Sequence, residues 1–194
     1  MDTMKIAQAL EDCLHSVAKT MEDRRHEKPS RRIGNGEWTH EILKSLYKLA
    51  RSGSVGEEIY ACPTFDEKWT DGEWLYDMIW YRNTDGFVED AHLGLHRSLK
   101  DVVMVLESEW SHSAWEIQYD FEKLLVAKAP LKVVIIDDVD KRIVERVIFD
   151  GIKTFHGGFA TDEVYLIAQY SNVTSNFEFK RVHPGCTSDI KEGK

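Results

Sequence analysis

Asp101-Val-Val-Met-Val-Leu-Glu-Ser-Glu-Trp110 runs five apolar residues, Val102 to Leu106, into a Glu-x-Glu pair. A short, continuously apolar, β-branched run of this kind reads as a buried central strand rather than a surface helix. Side chains alternate along a strand, so Glu107 and Glu109 point to one side, about 7 Å apart. Two carboxylates on one face at the end of a buried strand repel each other and lose hydration. Either their pKa values rise or a cation sits between them. Chemistry is therefore expected here first.

Working outward, residues 113–129 read as a helix stopped by Pro130, and Leu131 to Ile136 as a second buried strand. A helix is expected from about Asp140 to Thr154, ended at His156-Gly157-Gly158, then strands over Val164–Tyr170 and Phe177–Val182. On the N-terminal side, residues 73–82 form an aromatic-rich strand in which Asp77 shares a face with Leu75, Ile79 and Tyr81. An acid inside a strand is costly to bury unless it is paired or metal-bound. The 29 residues between Asp77 and Glu107 imply an inserted loop carrying Phe87, His92, Leu93 and His96.

Before these lie two helices. Residues 2–23 carry Ile6, Leu10, Leu14, Val17 and Met21 at helical spacing, a stripe for the body of the protein or for a second subunit. A basic stretch from Arg24 to Arg32 follows, containing Arg24, Arg25, Arg31 and Arg32. It reads either as a solvated linker or as a phosphate contact. After Gly34-Asn35-Gly36, Trp38, Ile42, Leu46 and Leu49 give the core stripe of a helix ending near Arg51, with Glu41 on its flank. The expected organisation is an N-terminal helix and basic linker (1–33), one α/β domain (34–183) and a tail (184–194). Helices should flank a mixed sheet.

The 194 residues are enough for a core that removes about 70% of the unfolded surface from water. A net charge of −9 argues against coating nucleic acid through a broad basic surface, though a local basic groove or a cation-bridged contact stays open. Cys13, Cys62 and Cys186 show no metal-ligand or disulfide spacing, and neither an apolar leader nor a spanning run is evident. The expectation is a cytoplasmic protein that does not engage a membrane. Zinc-protease, P-loop, dinucleotide and Gly-x-Ser-x-Gly signatures do not occur.

An acid on one strand, Glu-x-Glu on the next, then a helix and a further strand resembles the PD-(D/E)XK, restriction-endonuclease-like nuclease superfamily. The resemblance covers roughly residues 37–137. It implies a metal site in which Asp77, Glu107 and Glu109 hold Mg²⁺ or Mn²⁺, with Glu41 similar to the family's helix acid. Hard cations of this kind prefer carboxylate oxygen and leave room for a substrate phosphate. Position 109 is Glu where most members have Lys. Some members move that lysine onto the following helix, which points to Lys123. Lys123 lies nearly opposite the stripe of Ile117, Phe121, Leu124 and Leu125, on a weaker face with Tyr119, Val126 and Ala127. It reaches the site if that weaker face meets the sheet. The expected function is Mg²⁺-dependent hydrolysis of DNA by a homodimer formed through the N-terminal helix. The alternative is an inactive nuclease-fold module that binds protein or nucleic acid.

Overall fold

A computed structural model describes residues 2–28, 30, 33–63, 65, 75–84, 98–159 and 162–184. The chain folds as a mixed α/β structure, a six-stranded mixed sheet with helices on both faces. In chain order the elements are α1 (Thr3–Glu27), α2 (Asn35–Arg51), β1 (Tyr60–Cys62), β2 (Met78–Asn83), β3 (Leu99–Glu109), α3 (Ala114–Val126) and β4 (Leu131–Ile136). A composite helix follows: α4 (Lys141–Ile143), a π-helical stretch Val144–Phe149, and α5 (Asp150–Thr154). The strands β5 (Val164–Ser171) and β6 (Asn176–Val182) complete the sheet.

The strands lie in the order in which the chain makes them, β1 to β6. β1, β2 and β3 form an antiparallel meander; β4 and β5 then run parallel to β3, and β6 returns antiparallel. Parallel neighbours need crossovers, and α3 and the composite helix supply them. Both crossovers cover one face. There Ile117, Phe121, Leu124 and Ile148 pack on Val105, Val134, Ile136 and Ile167. The opposite face carries α1 and α2, whose Leu10, Leu14, Ile42 and Leu46 meet Met78, Trp80, Leu106 and Val133. The strands between are buried on both sides, which is why β4 is a continuous apolar run rather than an alternating one.

The structure moves several sequence-based boundaries. α1 runs to Glu27, so Arg24 and Arg25 belong to its last turn, not to a linker. Cations there favour the negative end of the helix dipole. Asp2 caps the other end, accepting the amides of Met4 and Lys5. The α1 stripe expected to serve the body or a partner is buried in the chain's own core, and Arg181 of β6 clamps Glu11 with 2.6 and 2.7 Å bonds. β2 begins at Met78, which leaves Asp77 at a bend just ahead of the strand instead of inside it. The helix expected over 140–154 is interrupted by the π-helical stretch. The loop residues Phe87, His92, Leu93 and His96, together with Arg31, Arg32 and the tail beyond Pro184, lie outside the described residues. Among the described residues no helix is long and apolar enough to cross a membrane.

Candidate active site

β2 and β3 are paired antiparallel, with Met78 opposite Leu106. One step beyond that pair, Asp77 meets the end of β3: the Ser108 amide donates to Asp77 Oδ2 at 2.7 Å. Met78, Trp80 and Leu106 face the α1/α2 core, while Ile79 and Val105 face the α3 core. By alternation Asp77, Glu107 and Glu109 all turn toward α3. The register between β2 and β3 steps over Val103, a local bulge in β3.

Glu107 is buried to 1% exposure. Its Oε1 lies 2.7 Å from Lys123 Nζ, and Lys123 Nζ is also 2.8 Å from Asp120 Oδ1. The contact to Glu107 is a close ion pair between a buried carboxylate and a helix lysine. Burial pushes the Glu107 carboxyl up to about 8; Lys123 pulls it down, and Asp77 and Asp120 push it up again. Burial also raises Glu109, which the Ser111 amide partly offsets at 2.6 Å, with Asp120 and Glu116 adding to the rise. Burial opposes the charge on Lys123, but Asp120 and Glu107 together raise its pKa above the ordinary lysine value. Tyr76 is raised by burial and by the nearby Glu107.

The result is one ammonium, Lys123, held between Glu107 and Asp120, with Asp77 acting on Glu107 and Glu109 on Asp120. That imbalance favours protons or an added cation. Lys123 reaches Glu107 although the main apolar stripe of α3 is the face that packs on the sheet. Glu107 stands at the end of its strand, where a long lysine stem can curl over from the helix flank. Asp120 was not singled out from the sequence. Its signal was available: Glu116, Asp120 and Lys123 follow one another at helical spacings of four and three, one face pointing at the end of β3.

The other expected contributors lie elsewhere. Glu41 sits on α2, on the opposite side of the sheet from α3, and is held by Arg24 at 2.7 Å. Arg25 contacts Glu22 at 3.4 Å. Trp110 is buried in the α1/α2 core, its indole donating to Ser108 Oγ at 3.0 Å. Among the described residues, no group of three or more His, Cys, Asp and Glu is arranged as a metal cage. In kind, however, the donors fit a hard cation, being carboxylate oxygens. Comparison with family models, curated proteins and solved structures yields no match to this chain.

Proposed function

We propose that the chain is a metal-dependent phosphodiesterase acting on DNA, with Asp77, Glu107, Glu109 and Lys123 as its catalytic group. The observation that carries this reading is the contact between Lys123 and Glu107, a helix lysine delivered onto a buried strand carboxylate beside Asp77. The element order from α2 through β4, one helix, a three-stranded meander, a helix and a parallel strand, supports a restriction-endonuclease-like core. Asp77, Glu107 and Glu109 would hold Mg²⁺ or Mn²⁺, which supplies charge neutralisation and a more acidic bound water. Lys123 places a positive charge where the phosphate acquires negative charge in the transition state. Asp120 holds Lys123 in place from the preceding turn of α3.

A second reading draws on the same contact. An ammonium already seated on Glu107, with no preformed cage among the described residues, also suits an inactive module that uses this scaffold for binding. Incubation of supercoiled, linear and single-stranded DNA with Mg²⁺ or Mn²⁺ separates the two. Cleavage should occur and fall by about a hundredfold or more in Lys123→Ala and Glu107→Gln. Calorimetric titration with Mn²⁺ should show binding that Glu107→Gln abolishes. A folded wild-type protein that cuts none of these substrates, with or without Mn²⁺ bound, would leave only the binding module.

A further inference from the structure

β6 is the last strand of the sheet, and its outer side pairs with no other described strand. The opposite edge, β1, has three residues, whereas β6 has seven. The hairpin with β5 closes at Ser171 and Asn176 and keeps its register to Tyr165 and Val182. The Phe177 amide donates to Asn176 Oδ1 at 2.9 Å, so it turns away from β5. Backbone groups alternate in direction along an antiparallel strand, which turns those of Phe179 and Arg181 outward as well. Among the described residues, no backbone group outside the β5–β6 ladder bonds them.

An open edge of this length is a template for another strand. Charge is the common guard on such edges, and here Glu178 and Lys180 are exposed. They stand two residues apart, so acid and base share one face of the strand. Neither forms an ion pair with a described residue; Lys180 Nζ instead lies 3.9 Å from the centre of the Phe149 ring.

The order of these charges decides what the edge accepts. A second copy of β6 can add antiparallel about a two-fold axis normal to the sheet, which makes the contact self-complementary. Centred on Glu178, such pairing sets glutamate against glutamate. Centred on Lys180, it sets lysine against lysine. Like charges directly opposite are destabilising. Centred on Phe179, it sets Glu178 of each copy against Lys180 of the other, and Phe179 against Phe179. That register also draws on the outward backbone groups of Phe177, Phe179 and Arg181, the phase the edge presents. The Phe177 amide exchanges its Asn176 side chain for the Arg181 carbonyl of the other copy. Phe179 is half-buried, its ring edge-on to His15 at 5.0 Å, so the aromatic pair extends a surface that the strand already shares with α1.

We propose that the open edge of β6 binds a second copy of this chain, antiparallel and centred on Phe179, through two reciprocal Glu178–Lys180 pairs. The apolar stripe of α1 is not the dimer surface, because the chain's own core buries it. Two six-stranded sheets become one continuous sheet. A two-fold axis normal to that sheet keeps like faces together, so both acid clusters lie on the same side of the assembly. The interface is independent of hydrolysis at those clusters.

Sedimentation equilibrium of the full chain over a range of protein concentrations tests it. Wild type should show a monomer–dimer equilibrium. Glu178→Lys and Lys180→Glu each make both cross-strand contacts repulsive and should weaken the dimer about tenfold or more. Mixed in equal amounts, the two variants should dimerise with each other, because every contact between them is again acid against base. The double variant Glu178→Lys/Lys180→Glu restores the pattern within one chain and should regain the wild-type equilibrium. Melting temperatures of the dilute variants close to that of wild type establish that each is folded. A wild type that stays monomeric overturns the proposal. So does a dimer that neither reversal weakens, or one that neither the mixture nor the double variant restores.

Discussion

Glu107 concentrates the chemistry of the molecule in one side chain. In the folded chain burial lifts its carboxyl to about 8, against an ordinary value of 4.5. The folded state therefore holds the proton more tightly than the unfolded state does. The stability Glu107 contributes is fully present below about pH 4.5 and is lost as the pH rises toward 8. Glu107→Gln cannot titrate and lacks that slope. In metal-free buffer, urea denaturation should show the stability of Glu107→Gln relative to wild type increasing between about pH 5 and about pH 9. A relative stability independent of pH would mean that Lys123 keeps the carboxylate ionised throughout. The residue itself was legible in the sequence, because period-two alternation puts Glu107 and Glu109 on one side of an apolar strand. Glu41 was not, because its partner Arg24 is a tertiary neighbour that no local pattern announces. Arg24 and Arg25 looked like linker residues for a related reason: helix propensity carries α1 past its last core residue, Met21, and periodicity does not mark where it stops.

Among the elements, β4 shows how a continuous apolar run can conceal a charge. Its bounds, Leu131–Ile136, are those the sequence indicates, and every residue in it is buried. One of them is Lys132, 1% exposed, with its ammonium 2.6 Å from Glu163, 3.1 Å from the Tyr165 hydroxyl and 3.4 Å from the Leu125 carbonyl. Burial lowers its pKa and Glu163 partly restores it. The partner lies 31 residues away and becomes a neighbour only when β5 docks in parallel register beside β4, so sequence spacing could not reveal it. Removing one member strands the other charge in the core. Lys132→Met should therefore cost about 3–5 kcal/mol in urea denaturation. The double variant with Glu163→Gln should recover most of that loss, since no unpaired charge remains. A double variant no more stable than Lys132→Met would show that the lysine stem's packing, rather than the pairing, is what β4 requires.

At the scale of the whole molecule, the sheet is a wall between two cores, and the acid cluster lies on one side of it. The acid cluster belongs to the α3 face, and α1 and α2 cover the other. α1 lies across that wall from the acid cluster, with Arg25 in its last turn. The helix is also structural. Ile6, Leu10, Leu14, Val17 and Met21 are each 3% exposed or less and share one cluster with Trp80, Leu106 and Leu166 of the sheet. Burying a single such side chain stabilises a fold by about 1.5–3 kcal/mol, so five of them rival the whole net stability of a domain. The bidentate Arg181–Glu11 pair and the 2.7 Å His15–Asn176 contact fix the helix against β6. A protein lacking residues 2–28 should consequently lose its cooperative thermal transition and bind a hydrophobic dye through the uncovered face of the sheet. An intact transition, with dye binding unchanged, would mean that α2 alone closes that core and that α1 is a detachable cover.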